Sequence, residues 1–299
     1  MNTNSNGYTI IYTTVIVIVV AAVLAVVSQT LKPNQLANEK ADVISQMMTA
    51  AGLGEKADFE AMGNDKVLAM YSENIEVAYL VNAEGQPVDT LLTAPADQIQ
   101  IYTPSALKAI YKLAKDGGKP EALPVFKFKN GLTVIPVYGA GLWGPIWGYI
   151  SFEGTTFKGA FFDHESETAG LGAKIKDDRD FQRGFIGKEV LLTEAAAQFE
   201  IAKAGAHKLG ESYGIDAIAG ATMTSGGLNN AINLWLGLYK PLFEGAPAGC
   251  QHEHMDCEHH HEGCEEHHEG CEEHHEGCEG QHADCNMPCC QENPKAEEE

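Results

Sequence analysis

A turn rich in glycine and hydroxyl side chains is the strongest candidate for chemistry in this sequence. It covers residues 216–226, DAIAGATMTSG, between a predicted strand and a predicted helix that begins at Ser225. The N-terminus of a helix presents free N–H groups and a positive dipole end, so such a turn can hold a phosphate. The alternative is that Thr224 or Ser225 caps the helix and that the other residues only form a turn. The stretch matches neither a Walker A loop nor a dinucleotide-binding fingerprint.

A second polar stretch, residues 164–173 with the sequence HESETAGLGA, follows another predicted strand. It contains His164, one of only two histidines that precede the C-terminal tail. A histidine in this position could act as a general acid or base. We favour the simpler interpretation, in which these residues form a polar loop that lines a ligand.

The C-terminal tail, residues 245–299, carries most of the side chains that can bind metal ions. All eight cysteines and ten of the twelve histidines lie there, and the segment HHEGCEE repeats with a period of seven. Imidazole, thiolate and carboxylate groups together suit Zn(II), Cu or Ni(II). The alternative is a solvated extension without a defined ligand, because the tail lacks an apolar seam and is predicted to be disordered. The candidate ligands in the repeats are His260, His261, Cys264, His267, His268, Cys271, His274, His275 and Cys278.

The composition excludes several classes of protein. The net charge of −22 argues against a nucleic-acid binder, which needs a basic face to meet the phosphate backbone. Residues 1–249 contain no cysteine, so this part of the chain has no disulfide, no thiolate nucleophile and no cysteine-ligated iron–sulfur cluster.

The elements that must position these stretches predict an α+β fold with a largely antiparallel sheet. The dipeptide Asn130-Gly131 between two apolar runs is a strong hairpin signal. The predicted strands cover residues 75–81, 88–92, 125–129, 132–138, 147–153, 157–163, 185–192 and 213–218. The predicted helices cover residues 33–51, 105–114, 193–209 and 225–239.

A single transmembrane helix is predicted at about residues 8–27, within an N-terminal segment of residues 1–32. This stretch has only Tyr and Thr as polar interruptions, and twenty residues in a helix reach about 30 Å, the thickness of the hydrocarbon core of a bilayer. A cleaved signal peptide would need a basic start and an Ala-x-Ala site, and neither is present. The main domain is predicted at residues 33–244. Lys32, taken alone, would place that domain in the cytoplasm.

Three motifs together resemble a known family. Residues 216–225 resemble the flavin attachment motif Asp-x-x-(Ser/Thr)-Gly-Ala-Thr of proteins with covalently bound FMN, and residues 167–172, ETAGLG, are similar to the Glu-Thr-Pro-Gly-Leu-Gly element of the same FMN-binding domain. Residues 139–143, GAGLW, resemble a segment of the C subunit of the sodium-translocating NADH:quinone reductases. The resemblance covers about residues 8–243. It departs from the family at Ala219, which replaces Ser or Thr, and at Ala169, which replaces Pro.

The resemblance implies that FMN is the cofactor and that a separate flavin transferase esterifies the FMN phosphate to the hydroxyl of Thr222. A covalent tether at a helix N-terminus agrees with the electrostatics of that turn. The other residues that the resemblance places in the FMN site are Asp216, Gly220, Ala221, Thr224, Ser225, Glu167, Thr168, Gly170, Leu171, Gly172, Leu142 and Trp143.

The resemblance also implies a function, that of an electron-relay subunit in a membrane-bound, sodium-pumping NADH:quinone oxidoreductase. Electrons from NADH would enter on another subunit, pass through this FMN, and continue to a second flavin subunit and to quinone. The implied partners are the other subunits and membrane lipid. The expected location is the cell inner membrane, with the main domain on the periplasmic side.

Two alternatives remain open at the level of sequence. The chain could be the equivalent FMN subunit of the Rnf ferredoxin:NAD complex, which carries the same threonine motif. It could also belong to a different class, a membrane-anchored metal-binding protein that acts through its tail.

Overall fold

The computed structural model describes residues 6–91 and 99–245. The helices are α1 Asn6–Ala50, α2 Lys56–Met62, α3 Asn64–Asn74, α4 Pro104–Lys115, α5 Lys174–Asp177, α6 Arg179–Arg183, α7 Thr222–Leu238 and α8 Lys240–Glu244. The strands are β1 Ile75–Val81, β2 Pro87–Leu91, β3 Leu123–Phe128, β4 Thr133–Ala140, β5 Pro145–Glu153, β6 Thr156–His164, β7 Leu191–Leu192, β8 Ala197–Gln198, β9 Glu200–Ala202 and β10 Gly214–Asp216. The predicted α+β class is confirmed. The tail and its candidate metal ligands lie outside the described residues, so tail disorder and metal binding stay predictions.

A six-stranded antiparallel sheet in the order β2-β1-β3-β4-β5-β6 forms the centre of the domain. Successive side chains of a strand point to opposite faces, and here both faces are buried. In β3, for example, Leu123 and Val125 belong to one core cluster, whereas Phe126 and Phe128 belong to the other. The sheet is therefore the middle layer of three.

Helices cover the two faces of this sheet. The C-terminal part of α1, together with α2 and α3, packs on one face around Ile44 and Met47. Helix α7 packs on the other face through Leu228, Ile232 and Trp235. The first turn of α7 thereby lies at the end of the sheet where β4 meets β5.

Helix α1 runs without interruption from the predicted span into the core. It contains Pro33 in its interior, so the prediction of a second helix starting there is wrong. A proline removes one backbone hydrogen bond, and the packing of residues 41–50 against the sheet stabilises the helix beyond it. Among the described residues, α1 is the one helix that is long and apolar enough to span a membrane. Its threonine hydroxyls at 13 and 14, within the candidate span, donate to carbonyls of the preceding turn, which satisfies them without water.

The segment between β6 and α7 differs from the sequence prediction. A strand over residues 185–192 and a helix over residues 193–209 are both wrong, because the segment forms short strands along α7 instead. The side chain of Asn233 accepts the N–H of Phe199 and donates to its carbonyl, and Asn229 accepts the N–H of Ile201. These two asparagines lie one helical turn apart on α7. They form hydrogen bonds with backbone groups that would have been paired internally if the segment were a helix.

Candidate functional site

Helix α7 begins at Thr222, three residues earlier than the sequence predicts. Its N-cap residue is Ala221, whose side chain cannot accept a hydrogen bond, and its first turn contains no acidic residue. The interpretation of Thr224 or Ser225 as the cap is therefore wrong. The first N–H groups of α7 have no acceptor within the helix, and Thr222 is exposed beside them.

The turn before α7 is closed by short-range hydrogen bonds. The N–H of Ala221 donates to the carbonyl of Ile218 at 3.0 Å, and the N–H of Ile218 donates to Oγ of Ser225 at 3.1 Å. Gly220 has a φ of +78°, which favours glycine, and a Cβ there would lie 3.1 Å from Cδ2 of Leu171. Ser225 thus holds the turn that precedes its own helix.

Glu167 joins three segments of the site. Its Oε1 accepts the N–H of Trp143 at 2.9 Å, and its Oε2 accepts the hydroxyl of Thr224 at 2.6 Å. The residue is 7% exposed, so both bonds are shielded from water. The carboxylate therefore connects the β4–β5 turn, the site loop (residues 165–173, between β6 and α5) and the first turn of α7.

Two glycines leave room for this carboxylate. A Cβ at Gly141 would overlap with Oε1 of Glu167, and a Cβ at Gly172 would overlap with Oε2 of Glu167 and with Oγ1 of Thr224. Sterics therefore favour glycine at positions 141 and 172, because the buried side chain of Glu167 lies too close for a Cβ.

The site loop is also ordered from within. The carbonyl of Thr168 accepts the N–H groups of Leu171 and Ala173, and Nδ1 of His164 accepts the N–H of Glu167 at 3.2 Å. His164 therefore stabilises the loop through its ring nitrogen, which agrees with the favoured interpretation of a polar loop. Gly170 supplies the positive φ, +75°, that the turn requires.

Large apolar side chains are exposed around Thr222 on these connected segments. Leu142 and Trp143 on the β4–β5 turn are 48% and 67% exposed, Leu171 on the site loop is 44% exposed, and Met223 is 67% exposed. Exposed apolar side chains on neighbouring segments typically mark a binding surface. Met223 carries no signal in the sequence, because an apolar residue in an amphipathic helix is ordinarily a core residue.

Asp216 is the predicted site residue that the structure pairs elsewhere. It ends β10, and its Oδ1 lies 2.8 Å from Nε2 of His207. Across residues 6–91 and 99–245, no group of three or more His, Cys, Asp or Glu side chains could hold a metal ion.

Comparisons with known proteins show which proteins this chain resembles. Residues 141–237 match the FMN-binding domain family. The C subunit of the Na(+)-translocating NADH-quinone reductase of Pasteurella multocida is 28% identical over 256 residues, which cover 79% of this chain and 92% of that protein. The corresponding protein of Pseudomonas aeruginosa is 26% identical over 255 residues, which cover 79% of this chain and 93% of that protein. The similarity to the FMN-binding domain family thus covers residues 141–237, which include Thr222 and Glu167.

Solved structures of such proteins share the fold. The crystal structure of the C subunit of the Na(+)-translocating NADH-quinone reductase from Parabacteroides distasonis matches with a TM-score of 0.55 and 28% identity, covering 71% of this chain and 96% of that one. NqrC of Shewanella oneidensis matches in fold with a TM-score of 0.54 and 24% identity, over 71% of this chain and all of that one. Thr222, Glu167 and the loops joined to them lie within the matched FMN-binding domain.

Proposed function

We propose that this chain is an electron-relay subunit of a sodium-translocating NADH:quinone reductase and carries FMN as a phosphoester on Thr222. The single observation that carries the proposal is the position of Thr222. It is an exposed residue with a hydroxyl group at the start of α7, a helix without a side-chain cap, and it lies in the stretch that resembles the flavin attachment motif.

The residues present fit an FMN phosphate at this point. Free N–H groups and the dipole of a 17-residue helix favour a negative charge by about 0.3–2 kcal/mol. Both acidic groups near this turn have partners: Glu167 accepts the hydroxyl of Thr224 and the N–H of Trp143, and Asp216 pairs with His207. A phosphodiester on Thr222 would therefore meet backbone donors at the end of α7.

The exposed apolar side chains fit the flavin ring. Leu142, Trp143, Leu171 and Met223 offer an apolar and aromatic surface beside the tether, of the kind on which flat aromatic groups pack. When bound, FMN supplies the one-electron redox chemistry, while the protein orients it and shapes its surroundings. The chain contributes Thr222 as the covalent anchor, and Glu167 and Thr224 hold the surrounding segments in register.

The names of the relatives support the choice of complex. Those relatives are named as the C subunit of Na(+)-translocating NADH-quinone reductase, which favours this complex over a ferredoxin:NAD complex. We propose that NADH is oxidised on another subunit and that a flavin transferase loads Thr222. We also propose that α1 anchors the chain in the lipid of the inner membrane, with residues 33–244 on the periplasmic side.

The test is the mass of the full chain, purified from cells that express the flavin transferase. We expect a mass increase equal to esterified FMN and fluorescence that survives a denaturing gel. Thr222→Ala should abolish both signals, because the acceptor hydroxyl is gone. Thr224→Ala is the matched control, and it should retain the covalent flavin at reduced occupancy because Glu167 loses a donor.

The reverse pattern would refute the assignment. Fluorescence that persists in Thr222→Ala and vanishes in Thr224→Ala would move the acceptor two residues along the helix. A wild-type chain without added mass would refute covalent attachment altogether.

A further inference from the structure

A buried glutamine on α1 lies at the base of the site loop. Gln46 is 0% exposed, although it belongs to the helix that leads out of the candidate membrane span. Its Oε1 accepts the indole N–H of Trp147 at 3.2 Å, and its Nε2 donates to Oδ2 of Asp42 at 2.8 Å. Nε2 also lies 3.4 Å from Oδ2 of Asp163, a weaker contact with the end of β6, just before the site loop.

Asp163 fastens both ends of the site loop. Its Oδ1 accepts the N–H of His164 at 2.7 Å, directly before the loop. Its carboxylate also pairs with Nζ of Lys176, at 2.9 and 3.0 Å to the two oxygens, just after the loop in α5. Asp163 is 5% exposed, so the pair is shielded on its acidic side, and loss of one partner would leave a buried charge.

A continuous set of contacts therefore joins α1 to Thr224. It passes from Gln46 to Asp163, along the chain to His164, from Nδ1 of His164 to the N–H of Glu167, and from Glu167 to the hydroxyl of Thr224. Thr224 is two residues from Thr222. The helix that would anchor the chain in the membrane is thus in contact with the framework of the candidate flavin site.

We propose that Gln46 and Asp163, with Lys176, form a tie that fixes the site loop to α1, which makes Gln46 a positioning residue for the flavin site. The part of this inference that concerns the flavin rests on the proposed function. The tie itself concerns only residues of this chain. Its role would be to transmit the orientation of α1 to the segment that surrounds Thr222.

Hydrogen exchange of the full-length chain in detergent tests the tie without any need for flavin. The N–H groups of Leu171 and Ala173, which donate to the carbonyl of Thr168, report on the site loop. In Gln46→Leu and in Lys176→Met we expect exchange about tenfold faster in peptides covering residues 167–173, because the loop loses an anchor while the backbone hydrogen bonds of the sheet stay in place. Lys176→Arg should restore slow exchange, since it keeps the charge and the donor.

Two matched controls accompany these variants. Ser45→Ala removes a buried hydroxyl on α1 that bonds the carbonyl of Asp42, and Lys174→Met removes a positive charge from α5. Both should leave exchange in the site loop within about twofold of the wild type. In flavin-loaded protein, the visible circular dichroism of the flavin should change in Gln46→Leu and Lys176→Met and stay the same in the controls.

The outcomes separate this inference from the proposed function. Unchanged loop exchange in Gln46→Leu would overturn the tie, and so would an acceleration that is equally large in β4, which would mean a general loss of stability. The positioning role would be overturned if exchange in the site loop became faster while the circular dichroism of the loaded flavin stayed unchanged. A wild-type chain without covalent flavin would refute the proposed function, and the exchange experiment would still decide whether the tie exists.

Discussion

Glu167 shows how one side chain can organise the candidate site. Its two oxygens each accept a hydrogen bond, from the N–H of Trp143 and from the hydroxyl of Thr224, and the side chain is almost fully buried. Hydrogen bonds to a charged acceptor are stronger than neutral ones, and an unsatisfied buried donor is costly. The carboxylate therefore fixes the geometry of α7 next to Thr222 without needing to touch a ligand.

The prediction at this scale concerns Glu167→Ala. We expect the free energy of unfolding to fall by about 1–3 kcal/mol, because the hydroxyl of Thr224 loses its acceptor. Glu167→Gln should lose less stability. Its carbonyl oxygen can accept the N–H of Trp143, and its NH2 group can donate to the hydroxyl oxygen of Thr224. Denaturant unfolding of the full chain in detergent measures both changes.

Glu165→Ala is the matched control for this comparison. Glu165 is an exposed glutamate on the same loop, so its removal should change the free energy of unfolding by less than about 0.5 kcal/mol. If the variants at 165 and 167 proved equally stable, the bridging role of Glu167 would be wrong.

At the scale of elements, α7 approaches β4 unusually closely. A Cβ at Gly227 would overlap with the carbonyl oxygen of Ala140, and a Cβ at Gly139 would overlap with the side chain of Ala231. The indole N–H of Trp235 donates to the carbonyl of Tyr138 at 2.8 Å, further along the same contact. Small residues on both sides of the interface thus set the depth at which the first turn of α7 lies on the sheet.

Two neighbouring glycines on α7 give a matched test of this packing. Gly227→Ala should lower the free energy of unfolding by about 1–3 kcal/mol, because the new methyl group meets a backbone carbonyl that cannot move away easily. Gly226→Ala should raise it by about 0.5–1 kcal/mol, since a Cβ there has open space and alanine favours helix. Thermal unfolding of the two variants measures the difference. Equal effects would mean that helix propensity alone, rather than contact with β4, governs this position.

The elements also show what the sequence can and cannot predict. Strands β3 to β6 follow from apolar runs and from the turn at Gly131, whose φ is +85°, because these signals are local. The sequence predicts a helix over residues 193–209 because the composition of that segment allows one. Its real conformation depends on Asn229 and Asn233, which lie on a helix formed later in the chain. The hydrogen bond between Thr224 and Glu167 cannot be predicted from local sequence signals either, because it joins residues 57 positions apart.

For the whole molecule, α1 determines how the domain relates to a membrane. Its apolar part, residues 9–27, is exposed throughout, and residues 43–50 are buried in the core. The exposed stretch that follows the apolar part, residues 28–39, spans about 18 Å as a helix. The domain would therefore stand off the bilayer on a helical stalk, which places the candidate flavin site at a fixed distance from the lipid.

The last prediction concerns the side of the membrane on which this domain lies. Among the described residues α1 is the one candidate span, and α8, which ends at Glu244, packs on the domain through the buried Phe243. Glu244 must therefore lie on the same side as the main domain. Lys32 favours the cytoplasm, but a single lysine is a weak determinant and long domains translocate largely regardless of charge.

Alkaline phosphatase fused after Glu244 should be active, because that enzyme needs the oxidising periplasm for its disulfides. Green fluorescent protein fused at the same position and exported through the same general route should stay dark. A fluorescent second fusion with an inactive but stable first one would place the domain in the cytoplasm and reverse the proposed orientation.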